Sequence, residues 1–135
     1  MISSTFDSKK LLKALKIFPE RIQKNIMVGS VRAGAKPILN EAKGNVPVRT
    51  GNLRKSLGIT KRKSKSRTEI RFSISPRKGG KNDGFYGHMI EFGTSNMSAR
   101  PFMRPAFENQ DKNSIDEAKK YMSKRIDKEI IKARR

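Results

Sequence analysis

A single carboxylate, Glu91, stands between Ile90 and Phe92 and is closed off by Gly93-Thr94; downstream, Pro101 and Pro105 frame Phe102. Few backbones accommodate that order. Each proline fixes φ and removes a donor, each glycine opens the φ > 0 region, and an acid among apolar neighbours needs a partner. The full stretch reads Tyr86-Gly87-His88-Met89-Ile90-Glu91-Phe92-Gly93-Thr94, then Ala99-Arg100-Pro101-Phe102-Met103-Arg104-Pro105-Ala106. A second landmark of the same kind lies upstream, Val46-Pro47-Val48-Arg49-Thr50-Gly51-Asn52-Leu53-Arg54. The chain must therefore turn sharply in two places where apolar residues also require burial.

Around these turns there is little apolar material. The chain has 135 residues, 34% hydrophobic and 33% charged, which predicts one domain over residues 1–135 with a thin core and a large surface. Cysteine is absent, which excludes a disulfide framework, a thiolate metal site and a cysteine nucleophile. No apolar run is long enough to span a bilayer, and the N-terminus lacks signal-peptide character, so synthesis in the cytoplasm and no membrane partner are expected. The formal net charge of +20 favours polyanionic partners. It is concentrated: between Arg49 and Lys81 twelve Lys or Arg face one acid, Glu69.

Hydrophobic spacing supplies the elements. Asp7 or Ser8 is placed to cap a short helix with Leu11, Leu12, Leu15 and Phe18 on its apolar face. Pro19 suits the first turn of a second helix, along which Ile22, Ile26, Gly29, Ala33, Ile38 and Ala42 recur up to a stop at Gly44. Pro37 should kink it. Gly29 and Ala33 would admit a close neighbour, either the sheet or another subunit. Thr50 is an expected N-cap for one helical turn over residues 51–56.

A strand around Leu57–Thr60 and an alternating strand over Thr68–Ser75, with Ile70, Phe72 and Ile74 on one face, predict a hairpin. Its tip is the basic tract Lys61–Arg67. Residues 76–84 read as a flexible loop, and Phe85–Phe92 as a strand or strand-like turn. A last helix carries Ile115, Ala118, Met122, Ile126 and Ile130, with capping-box spacing at Ser114–Glu117 or an earlier start near Phe102. Residues 131–135 form a basic tail. The fold class is α+β: N-terminal helices and a C-terminal helix packed on a small antiparallel sheet with a long basic hairpin.

The residues offer little catalytic chemistry. His88 is the only histidine and has no nucleophilic elbow to serve. One imidazole and scattered carboxylates do not make a metal site, and the Gly79–Gly84 run lacks the Lys-Ser/Thr step of a phosphate loop. No catalytic, metal or cofactor-binding residue is assigned, and no cofactor is expected. Ile90 and Phe92 both call for burial, so Glu91 should be partly buried and pair with Arg54, Arg100 or Arg104, or cap backbone at the Gly93-Thr94 turn. Lys61, Arg62, Lys63, Lys65 and Arg67 are read as an exposed, projecting arm for DNA phosphates or an acidic subunit. Without an interleaved aromatic it would not stack bases, and its contacts would be salt-sensitive.

These landmarks resemble the tail-component family of long-tailed bacteriophages typified by gene product ten of phage Hong Kong ninety-seven. Its Pro-x-x-Thr-Gly-x-Leu-Arg segment is matched by Pro47, Thr50, Gly51, Leu53 and Arg54. Its Tyr-x-x-x-Ile-Glu-Phe-Gly-Thr segment is matched by Tyr86, Ile90, Glu91, Phe92, Gly93 and Thr94. Its Pro-Phe-x-Arg-Pro-Ala segment is matched by Pro101, Phe102, Arg104, Pro105 and Ala106. The resemblance spans residues 5–130, although Arg49 stands where the family often has an acidic or polar residue.

What the resemblance implies is a structural virion protein of a phage or prophage rather than an enzyme. It implies a neck or tail-completion subunit (a head–tail connector) joining tail to head, self-associating into a ring on the DNA path among other neck and tail proteins. On that reading Thr50 and Gly51 shape the turn after the long helix, Glu91 anchors the sheet to an arginine, and Phe102 plugs the core. The rival readings are a small basic, non-sequence-specific nucleic-acid-binding protein, and a nuclease, which would need a cluster of catalytic His, Asp and Glu.

Overall fold

Two long helices lie side by side in this α+β chain, and a hairpin covers the far flank of the first. The computed structural model describes residues 2–47, 51–66, 69–77 and 87–134. The elements are α1 (Ile2–Leu15), α2 (Glu20–Asn45), α3 (Asn52–Ser56), β1 (Leu57–Arg62), β2 (Arg71–Pro76), α4 (Gly87–Phe92) and α5 (Met103–Ala133). α1 already begins at Ile2, so Asp7 and Ser8 lie inside the helix rather than at its N-terminus. Leu12 is exposed, while Leu15 is buried.

Pro19 occupies the N-cap position of α2, and the helix continues through Pro37 to Asn45. Its end is not set by Gly44. Val46 precedes Pro47, whose ring disfavours helical geometry in the preceding residue, and Val46 is accordingly extended (φ −66°, ψ 129°). α2 runs about 39 Å and α5 about 46 Å. They pack antiparallel, Ala42 sharing a core with Ala106 near one end and Ile26 with Ile126 near the other.

The close neighbour of the small residues in α2 is α5, neither the sheet nor a second subunit. Buried positions on α2 are Ile26, Ser30, Gly34, Ala35, Ile38 and Ala42. A Cβ at Gly34 would sit 2.8 Å from the Ser114 carbonyl oxygen, and one at Gly29 would overlap the Tyr121 ring. Ser30 Oγ donates to the Ile26 carbonyl (2.8 Å), so its burial leaves no orphan hydroxyl.

α5 is one continuous helix from Met103, so Ser114 is an interior residue and caps nothing. Ile115 is 56% exposed. The expected stripe fails there because Ser114 and Ala118 occupy the face pressed against Gly34. The helix also continues through residues 131–133, where a basic tail was expected.

Among the described residues the sheet consists of the hairpin alone. β1 and β2 pair antiparallel from Leu57↔Pro76 to Arg62↔Arg71, with Ile59 opposite Ile74 and Lys61 opposite Phe72. Arg32 of α2 lies over the Phe72 ring at 5.3 Å, a cation–π contact that helps seat the hairpin on α2. The expected third strand is instead α4. Helical geometry there corrects a second expectation: residues two apart on a helix point about 200° apart. Ile90 and Phe92 therefore cannot share a buried side, and Phe92 is 81% exposed. Phe85 lies outside the described residues, as does most of the 76–84 loop.

Two apolar clusters result. Ile38, Ala42, Val46, Leu53, Leu57, Phe102 and Ala106 form one; Leu15, Ile26 and Ile126, with Phe18, Ile22 and Met122 around them, form the other. Among the described residues no helix is long and apolar enough to cross a membrane.

The α2–α5 seam makes a testable distinction. Gly34→Ala meets backbone, which cannot swing aside, and should destabilise the fold by about 1–3 kcal/mol. Gly29→Ala overlaps the end of the Tyr121 ring, which a side-chain movement can relieve, and a helix-propensity gain of about 1 kcal/mol should offset part of that cost and leave it less destabilised than Gly34→Ala. Urea unfolding of the two variants measures the difference.

Candidate functional site

The three sequence landmarks converge where α2 ends and α5 begins. Helix N-termini leave unpaired N–H groups and a partial positive charge. Glu91 fills that role for α5 from eleven residues upstream. Its Oε2 accepts the N–H groups of Phe102 (2.7 Å) and Met103 (3.0 Å), and its Oε1 accepts that of Arg104 (3.1 Å). The next residue, Pro105, has no N–H to satisfy. One carboxylate and one proline thus complete the first turn of the longest helix.

This corrects the expected arginine partner and the anchoring of a sheet. Among the described residues Glu91 caps backbone, and at α5 rather than at the Gly93-Thr94 turn. The arginines are placed elsewhere. Arg54 Nε donates to the Lys43 carbonyl (2.9 Å), a cation at the C-terminal end of α2 where the dipole favours one. Arg104 Nε pairs with Glu108 (3.3 Å). The Arg100 side chain is exposed, and its backbone N–H donates to the Ile90 carbonyl (2.7 Å).

Glycine geometry aims Glu91. Gly93 has φ +76° and donates to the Met89 carbonyl (2.7 Å), ending α4 in a left-handed turn. A Cβ there would stand 2.8 Å from the Ala99 nitrogen. Thr94 N–H donates to the Met97 carbonyl (2.9 Å), turning the chain back toward Pro101. Gly51 (φ +80°) makes the matching turn before α3, which buries Leu53 in the same cluster as Phe102, itself 1% exposed. Pro47 and Pro105 are half-buried and Pro101 is exposed. Thr50, Tyr86, Arg49 and Arg67 lie outside the described residues.

The cations occupy a different face. Lys61, Arg62, Lys63 and Lys65 are exposed at the hairpin tip. They do not simply project: with Arg71 of β2 and Lys24 of α2 they line a concavity of about 450 Å³. Composition could not associate Lys24 with the tract, since its place depends on the hairpin packing along α2. The wall is ordered locally. Arg62 Nε donates to Ser73 Oγ (2.8 Å), Ser64 Oγ donates to the Ser66 carbonyl (2.7 Å), and Glu69 lies 3.7 Å from Arg71. Six cations against one carboxylate make a surface for an anion with several charges.

His88 is exposed on α4. Among the described residues no three His, Cys, Asp or Glu side chains gather where they could hold a metal ion.

The turns thus serve a helix junction, and the hairpin cations are displayed apart from them. The family model described as "Bacteriophage HK97-gp10, putative tail-component" matches residues 9–93, and the chain belongs to that family. The match takes in the Thr-Gly-x-Leu-Arg and Ile-Glu-Phe-Gly landmarks and stops short of Pro101–Ala106. No curated protein and no solved structure matches the chain.

Removing the cap tests the junction. Glu91→Ala strands up to three N–H groups and should cost about 2 kcal/mol. Glu91→Gln, with one oxygen for three donors, should fall between Ala and the parent. Differential scanning calorimetry should register both losses; equal stability of all three proteins would remove Glu91 from the fold's support.

Proposed function

We propose that the chain is a structural virion protein of a long-tailed phage or prophage, a neck or tail-completion subunit that joins tail to head. The observation that carries this is the family match to a tail component, with two of its landmarks spent on the α2–α5 junction. Residues committed to a cap and two turns serve a scaffold, and no reaction is assigned to them. The subunit acts as one domain and is not an enzyme. It assembles in the host cytoplasm, resides in the virion neck or tail, and contacts other neck and tail proteins.

A ring of copies on the DNA path accounts for two further features. The core is divided into two small clusters, so burial between subunits adds stability that the lone chain lacks. The +20 charge, with six cations lining one concavity, suits the passage of a polyanion or docking onto acidic neighbours. The second reading, a small non-sequence-specific nucleic-acid-binding protein, draws on that same concavity. Phosphate binding there would be steeply salt-dependent.

Deleting the gene from an inducible phage should leave DNA-filled heads and free tails, seen by electron microscopy and rejoined by the wild-type chain. Joined, infective particles without it would end the reading. Neutralising Lys61, Arg62, Lys63, Lys65 and Arg67 together should preserve the circular dichroism spectrum and melting temperature to within a few degrees while reducing complementation at least about tenfold. Full complementation would exclude the hairpin from attachment.

A further inference from the structure

We propose that the outward face of α5 between Phe107 and Asp116 receives the hairpin tip of a second copy of this chain. This rests on the ring reading above and specifies which two surfaces meet in it.

The α5 face has an unusual character for this molecule. Residues 107–117 carry Glu108, Asp111, Asp116 and Glu117 against Lys112 alone, a local −3 in a chain of +20. Phe107 and Ile115 are 46% and 56% exposed, and Asp111 lies between them at four-residue spacing, so the three share one side of the helix. Glu108 and Glu117 have cations on α5 itself, Arg104 at 3.3 Å and Lys120 at 3.6 Å. Asp111 Oδ1 accepts a backbone N–H, that of Lys112 (2.7 Å), a contact that leaves its charge available to a cation. Two carboxylates flanked by exposed apolar side chains fit a partner with cations on aliphatic stems, which cover apolar surface while their charges meet the acids.

The hairpin tip offers such side chains in Lys61, Lys63 and Lys65, all exposed. It cannot reach α5 within its own chain. α2 packs against α5 on one side and against β1 and β2 on another, while the hairpin and α5 share no comparable contact. The tip lies beside Lys24 near the start of α2, whereas the α5 face begins beside Gly34 and Glu41 farther along it, so the two do not meet within one chain.

Charge also restricts the symmetry. Copies bearing +20 repel, so a stable contact must join locally opposite charges. A two-fold contact through the α5 face would oppose carboxylates, and one through the tips would oppose lysines. A head-to-tail contact pairs unlike charges, as does a reciprocal two-fold exchange of tip and face; of the two, only the head-to-tail contact closes into a ring larger than a dimer.

The test uses neutral variants of the full chain. One carries Lys61→Gln, Lys63→Gln and Lys65→Gln; the other carries Asp111→Asn, Asp116→Asn and Ile115→Ser. All six positions are exposed, and circular dichroism confirms that both variants fold. In sedimentation velocity the wild type should form species larger than dimers at about 0.1 M salt and dissociate near 1 M, where the Debye length falls from about 10 Å to about 3 Å. Each variant alone should associate about tenfold more weakly or worse. Mixed in equal amounts they should form one-to-one pairs and stop, because one intact tip meets one intact α5 face.

Variants that assemble like the wild type would overturn this contact and leave the ring intact. A wild type that stays monomeric at every salt and concentration would overturn both. Tip substitutions that abolish duplex DNA binding but spare self-association would assign the tip to nucleic acid, against the proposal.

Discussion

The fold depends on how one carboxylate meets one helix end. α5 is the longest element, and its first turn lies beside buried Phe102 and Ala106, where unpaired N–H groups would be costly. Glu91 supplies acceptors to three of them, Pro105 removes the next, and the negative charge opposes the helix dipole favourably. Arg54 does the converse at the C-terminal end of α2. Since the two helices are antiparallel, both charges lie at the same end of the pair. The turns at Gly51 and Gly93 bring them there.

From that junction the helices separate only as far as their side chains require, and at Gly34 they require almost nothing. Ser114 and Ala118 press against it, which brings the helix axes close and leaves little apolar surface to bury. α2 is further burdened because its other flank carries the hairpin through Arg32 and Phe72. This economy explains how a chain with only a third of its residues apolar sustains two long helices. It also leaves Phe92, Phe107 and Ile115 at the surface, where they are available to other chains.

Charge is segregated to match. The hairpin and the start of α2 collect cations around one concavity, while residues 107–117 of α5 carry four acids against one lysine. A basic concavity and an acidic stretch thus stand on different elements of one chain, surfaces that suit partners of opposite charge.

Much of this was legible in the residues themselves. Alternation at Phe72 and Ile74 falls within β2, although Ile70 precedes it, and the glycine and proline landmarks announce the sharp turns and the family. These are local signals, set by φ restrictions and by periodicity along a few residues. The partner of Glu91, the neighbour of Gly34, the exposure of Phe92 and Ile115, and the recruitment of Lys24 to the basic tract were decided by tertiary structure. Each depends on which of several equally permitted contacts survives when distant segments compete for the same space, and no local pattern encodes the outcome of that competition.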